Sequence, residues 1–341
     1  MTIDRTCSRN RSHSIGHSGR IAALCAALVV SACGGGGDDP APPAGLTSAA
    51  RTAAASATAQ ADGNACAPIR PFYWEIGDRT AGLASGSVAS ATDPTVYTSA
   101  SAMSIASASK WIYASYFVQR QAGVLTASDI KFLTFSSGYT SFSSCIPGQT
   151  VQACVDAGAN GIHDPATDGE FFYGGGHMEK HASLIGLGPL GDAALATEMQ
   201  AQIGTDVALA YSEPQLAGGV VTSADNYAVF LRKMLSGSLK MADLLESNAV
   251  CTNPQTCATA LSTPTPAGES WHYSIGHWVE DDPAVGDGAF SSAGSFGFYP
   301  WIDAAKTTYG IVARRSSSGS GFDSVMCGRL IRKAWMSGVA Q

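Results

Sequence analysis

Apolar and polar positions change their rhythm three times along this chain. In "RPFYWEIGDRTAGLASGS", residues 70–87, aromatic and apolar positions alternate with polar ones around a turn, which predicts a strand, a turn and a second strand. "SASKWIYASYFVQRQAG", residues 107–123, predicts a buried helix whose serine-rich start suits capping and whose end falls at Gly123. From there to about residue 250 the pattern is mostly helical and loop-rich. "TSADNYAVFLRKMLSG" is the clearest helix, with Ser223 as cap and apolar residues at helical spacing. Then "WHYSIGHWVE", "SFGFYPWID" and "TTYGIVARRS" read as short strands, and "FDSVMCGRLIRKAW" as a closing helix. Strands, helices, strands and a helix, with no internal repeat, imply an α+β domain. One sheet is assembled from both ends (about 66–106 and 268–341), with a helical part (about 107–267) inserted between them.

Composition sets the limits of that domain. The chain has 341 residues, 45% hydrophobic and 14% charged, as a folded protein requires. Residues 34–62 are Gly, Ala, Ser, Thr and Pro with almost no large apolar side chain, so 33–63 is expected to be a flexible tether and 64–341 the folded domain. Before it, Arg5, Arg9, Arg11 and Arg20 precede the apolar run "IAALCAALVV", too short to span a bilayer permanently, so 1–32 reads as a signal peptide. "VSAC", residues 30–33, resembles the lipobox of bacterial lipoproteins. That resemblance makes Cys33 the lipid-bearing first residue, and Gly34 after it implies the periplasmic face of the outer membrane. Ordinary signal cleavage, giving a periplasmic or secreted protein, is the alternative. A net charge of −7 and no basic cluster beyond the leader argue against nucleic acid as partner. Membrane contact is expected through the lipid alone.

Setting aside Cys7, Cys25 and Cys33 leaves Cys66, Cys145, Cys154, Cys251, Cys257 and Cys327, an even set that suits an oxidising compartment. "CIPGQTVQAC" and "CTNPQTC" each bracket turn residues, so Cys145–Cys154 and Cys251–Cys257 are the short closures, and Cys66 and Cys327 pair by elimination. No C-x-x-C pair points to a metal.

S-x-x-K occurs twice, at Ser107–Lys110 and at Ser128–Lys131. Serine needs a base within hydrogen-bond reach to be a nucleophile. Ser107 is expected in the first turn of a buried helix, where the helix dipole favours an alkoxide and desolvation lowers the pKa of Lys110. Ser128 follows "GVLTA" and reads as the cap of an exposed short helix with Asp129 in its first turn, a structural pair.

"SIASASKWI", "FFYGGG" and "FSSAGSFGFYPWID" together resemble the three motifs of the serine β-lactamase and penicillin-binding-protein superfamily, in particular its esterase, D,D-peptidase and amide hydrolase branches. The resemblance spans about residues 66–338 and implies a β-lactamase/transpeptidase-like fold, an antiparallel sheet flanked by terminal helices with an all-helical region inserted. It implies Ser107 as nucleophile, Lys110 as the proton acceptor or relay, and Tyr173 as proton shuttle, with the Ser107 and Ser295 amides as an oxyanion hole. Gly175, His177, Ser292 and Gly294 would line the substrate. Two motifs depart from the superfamily. "YGG" puts Gly175 where an asparagine orients a substrate amide, and "SAG", Ser292–Gly294, lacks the cation that binds a carboxylate. Arg314 or Arg315 is a candidate replacement for that charge.

The resulting expectation is an exported serine hydrolase acting on an ester or unusual amide, without cofactor or metal. D,D-peptidase or β-lactamase activity is the alternative, and a noncatalytic binding or sensing lipoprotein is the rival of another class. Weaker features point elsewhere. "HMEKH" sets His177 and His181 at metal-capable spacing without a third ligand. "DAGANGIHD" places Asp156, Asn160, Gly161 and Asp164 as in part of a calcium loop, with Thr167 where a glutamate belongs. Gly-x-Ser-x-Gly, P-loop and dinucleotide fingerprints are absent.

Overall fold

The apolar run "FYWEIGD" forms β1 (Phe72–Asp78) and turns into β2 (Gly82–Val88) because the Asp78 carboxylate accepts the Thr80 and Ala81 amides at 2.7 and 3.0 Å. The computed structural model describes residues 45–266, 268–316 and 320–341. The leader, Cys33 and Gly34 lie outside the described residues.

The tether expectation needs correction. Residues 48–60 form α1 (Ser48–Gln60), with Thr47 Oγ1 accepting the Ala50 amide at 3.2 Å. Alanine is the best helix former, and its small side chain lets two helices approach closely. Ala54, Ala55, Thr58 and Ala59 are buried, and α1 lies along the C-terminal helix, where Arg51 donates to the Trp335 carbonyl at 2.8 Å. Low hydrophobicity does not prevent burial here, because a face of small residues is enough to pack against a neighbouring helix.

After β2 come β3 (Met103–Ser104), a 3-10 turn over Ala106–Ala108, α2 (Ser109–Arg120), α3 (Ala127–Leu133) and α4 (Val151–Val155). Next are β4 (Phe171–Phe172), α5 (Gly176–Ala182), α6 (Asp192–Ile203), β5 (Ala210–Tyr211), β6 (Val220–Thr222) and α7 (Ala224–Leu235). The chain then returns through β7 (Val250–Cys251), β8 (Ala260–Ser262), β9 (His272–Tyr273), β10 (Trp278–Glu280), β11 (Ala289–Ser291), β12 (Tyr299–Ile302) and β13 (Thr308–Ala313). It closes with α8 (Gly321–Ser337).

The main sheet runs β2-β1-β13-β12-β11-β10-β9-β7, antiparallel throughout, with Trp74 opposite Val312 where the two chain ends meet. The chain rejoins the sheet at Val250, earlier than the expected boundary near 268, because β7 pairs with β9. Neighbouring side chains of a strand face opposite ways. Tyr309 meets Arg232 of α7 at 2.9 Å, whereas Gly310 leaves room for Trp301 on the other face, beside Gly328 of α8. The helices α7 and α8 therefore cover opposite faces. Two smaller sheets, β3-β6-β5 and β4-β8, stitch the helical part to this frame.

All three expected disulfides are present, Cys66–Cys327, Cys145–Cys154 and Cys251–Cys257. The caps differ in detail from expectation. Thr126, not Ser128, caps α3 in a capping box with Asp129. The Ser223 side chain bonds the Asp225 carboxylate instead of a backbone amide.

Candidate active site

Ser107 was expected inside the first turn of a helix. It sits just upstream, in the 3-10 turn, because Ala106 has φ +45°, a left-handed conformation that costs a non-glycine residue about 1–2 kcal/mol. Side chains from distant segments hold the turn there. Ser292 Oγ donates to the Ser107 carbonyl at 3.1 Å, Tyr227 Oη to the Ala108 carbonyl at 3.0 Å, and Ser109 Oγ accepts the Val220 amide at 3.2 Å. The turn brings Ser107 Oγ within 2.9 Å of Lys110 Nζ.

Lys110 is 5% exposed. Burial lowers its pKa from the ordinary lysine range to about 7, with the charge of Glu179 opposing the shift. Its Nζ also donates to the Ala217 carbonyl at 2.8 Å and lies 4.9 Å from the centre of the Tyr173 ring. Tyr173 follows β4, its amide bonded to the Ser262 carbonyl at 3.1 Å and its ring stacked on Trp278 at 5.0 Å. Burial pushes its hydroxyl up to about 12, with hydrogen bonding to the Ser107 and Trp278 side chains pulling the other way.

Ser107, Tyr173 and Ser295 line one cavity of about 150 Å³, together with Pro264, Ala293, Ser320, Gly321 and Phe322. The Ser295 amide makes no backbone hydrogen bond among the described residues. Among the described residues, no charged side chain lines this cavity. A larger cavity of about 740 Å³ lies against α8, lined by Met326, Arg329 and Lys333, and contains none of these groups. A serine hydroxyl in contact with a desolvated lysine amine beside the smaller cavity marks that one as the candidate site.

Four expected substrate contacts fall elsewhere. His177 is fully buried, with Nδ1 on Ser137 Oγ at 2.8 Å, Nε2 on the Phe172 carbonyl at 3.1 Å and its ring stacked on Phe135. Burial lowers its pKa to about 4, so it is a neutral core histidine. Gly175 packs beneath Phe142, whose ring a Cβ would meet at 2.8 Å. Gly294 admits the protein's own backbone: a Cβ there would lie 2.1 Å from the Ile105 carbonyl oxygen. Ser292 is buried under Ser107 as a support, with its hydroxyl already committed. Arg314 is buried, its guanidinium on Ser324 Oγ at 2.9 Å and the Ser320 carbonyl at 3.4 Å, so it braces the start of α8 and leaves the cavity uncharged. Arg315 is exposed and outside the cavity lining.

His181 faces Tyr113 at 2.8 Å and Asp129 at 3.1 Å, away from His177, and no metal-capable cluster occurs among the described residues. Asn160 spends its amide on Ser143, Ser144 and Cys154, which explains its place in the loop without an ion. Sequence reasoning missed Glu179, which approaches Lys110 from α5, and the cavity walls Pro264, Ala293, Ser320 and Phe322. The walls come from separate segments with no local signal. A lone glutamate between two histidines reads as a surface charge.

No family model matches the sequence, and no curated protein matches it. Solved structures do match it. A D-stereospecific amidohydrolase from Streptomyces sp. superposes with TM-score 0.58 at 13% identity, over 86% of this chain and 100% of the other. The penicillin-binding protein homologue of Pyrococcus abyssi gives 0.56 at 13% identity, over 80% and 74%. EstCE1, a hydrolase with promiscuous acyltransferase activity, gives 0.57 at 12% identity, over 83% and 98%. This chain has the β-lactamase/transpeptidase-like fold. Within that fold, the expected antiparallel sheet, terminal helices and inserted helical region are all present.

Proposed function

We propose that this protein is an exported serine hydrolase that cleaves an ester or unusual amide through an acyl-enzyme on Ser107. The observation that carries the reading is Lys110 Nζ at 2.9 Å from Ser107 Oγ, desolvated to a pKa of about 7. At neutral pH such an amine is unprotonated in about half of the molecules and accepts a proton effectively. Tyr173 stays a phenol, so it gives a proton but does not begin as a base.

In the first step the Ser107 hydroxyl proton passes to Lys110 as Oγ bonds to the substrate carbonyl carbon. The charge on the carbonyl oxygen is taken by the Ser107 and Ser295 amides, donors each worth about 10²–10³ in rate. Collapse breaks the bond to the leaving group, which receives a proton through Tyr173, and Lys110 restores the tyrosine. The ring face beside Lys110 favours its transient ammonium. Water then adds to the acyl-enzyme as Lys110 again takes the proton, and the acid departs as its bond to Oγ breaks and Lys110 returns that proton to Ser107 Oγ.

The uncharged cavity supports a neutral acyl group over a carboxylated β-lactam or stem peptide. Three disulfides support an oxidising compartment. Retention by lipid on Cys33 is part of the proposal, checked by labelled palmitate that Cys33→Ala no longer incorporates. The central test is intact-protein mass after fluorophosphonate treatment. A single adduct that is lost in Ser107→Ala and kept in Ser128→Ala is expected, with p-nitrophenyl esters hydrolysed faster than nitrocefin. Absence of acylation of the wild type by any activated acyl donor overturns the reading.

A further inference from the structure

Glu179 is fully buried on α5, and its two oxygens are both in use. Oε2 accepts the Leu216 amide at 3.0 Å and Oε1 the Ala217 amide at 2.9 Å. The carbonyl of the same Ala217 accepts Lys110 Nζ at 2.8 Å. A carboxylate, a backbone turn and an amine thus stand in series, ending on Ser107 Oγ.

We propose that Glu179 is a positioning residue: it fixes the 216–217 turn so that the Ala217 carbonyl holds Lys110 Nζ against Ser107 Oγ. This rests on Lys110 being the base of the proposed hydrolase. A neutral amine has two N–H bonds and one lone pair. Committing one N–H to Ala217 limits the amine's rotation and leaves the lone pair free to face the serine proton. Without the carboxylate, two buried amides lose their acceptor and the turn has reason to move.

Glu179 also acts through charge. Burial raises its pKa to about 7, against the Leu216 and Ala217 amides and Lys110, and its ionised form in turn favours the Lys110 ammonium. The groups around it are Lys110 and Tyr113 from α2, Tyr211 from β5 and Glu213 from the segment after it. Burial keeps both tyrosines neutral, and Asp129 of α3 is bound to His181. Removing the Glu179 charge leaves the desolvation of Lys110 less opposed, so the lysine loses its proton at lower pH.

Glu179→Gln and Glu179→Asp are compared with wild type by fluorophosphonate acylation rate against pH, and by NMR titration of ¹³C-labelled lysine assigned with Lys110→Met. In Glu179→Gln the acid limb and the Lys110 midpoint should both move down by about one pH unit, and the plateau rate should fall about 10-fold. Glu179→Asp keeps the charge but not the reach, so the midpoint should return toward wild type while the plateau stays low. A merely structural role lowers Tm and moves neither midpoint. Wild-type midpoints and plateaus in both variants overturn the proposal, and if Glu179→Gln does not fold, a wild-type plateau in Glu179→Asp does so alone. Failure of the hydrolase reading looks different: the wild type takes no label at any pH, and the Lys110 titration still decides whether Glu179 acts on it.

Discussion

The chain contains two Ser-x-x-Lys pairs, and their surroundings differ in nearly every respect. Lys131 is 49% exposed and paired with Asp168 at 3.1 Å, while Ser128 lies in the first turn of a helix capped by its neighbour Thr126. Lys110 is buried, touches the Ser107 hydroxyl, a carbonyl and an aromatic face, and makes no ion-pair contact among the described residues. Spacing alone brings serine and lysine to one side of a chain. What sets the Lys110 pair apart is an amine taken out of water and given a carbonyl where Lys131 has a carboxylate.

Lys110→Met should break the contrast most severely. Acylation of Ser107 is expected to fall by about 10²–10⁴-fold, measured by single-turnover release of p-nitrophenol. In the wild type the same rate should rise with pH through about 7, because the deprotonated amine is the active form and burial has lowered its pKa to that value. Tyr173→Phe keeps the ring against Trp278 and removes only the proton donor. A loss of about 10²-fold is expected, smaller for p-nitrophenyl esters, whose leaving group needs no proton, than for alkyl esters. Gly294→Ala acts on the support under Ser107. Its Cβ has no room beside the Ile105 carbonyl, so a stability loss of about 1–3 kcal/mol in urea unfolding is expected, along with slower acylation. Lys131→Met should do least: breaking a half-exposed ion pair costs about 0–1 kcal/mol and leaves acylation unchanged.

The fold could be read from the chain because its signals are long or topological. Period-two runs at both ends, helical spacing between them and a cysteine near each end require one sheet joined by first and last strands, and β1 pairs with β13. The contact of Ser107 with Lys110 could be read because the two lie three residues apart at the start of an apolar helix. The rest of the site depends on distant contacts. His177 and His181 do share a buried helix, yet the His177 pocket is made by Ser137 and Phe135, from the loop after α3. The role of Glu179 exists only because Leu216 and Ala217 fold back onto α5. Gly294 looked like a substrate approach, but the backbone it admits is that of Ile105. Helix α1 was missed for another reason: its buried face consists of alanines, which carry little hydrophobicity each and pack well together.

The pairing of β1 with β13 has a consequence for how the protein is made. A chain that stops before Thr308 leaves β1, with buried Phe72, Trp74 and Ile76, bonded on one side only, to β2. Its other edge is a row of free amides and carbonyls beside apolar side chains, a template for pairing with another molecule. Every partly synthesised copy passes through that state. The helix α8 and Cys327 follow β13 in the chain, so the sheet edge is covered only after residues 308–313 have been added, and the Cys66–Cys327 bond forms later still.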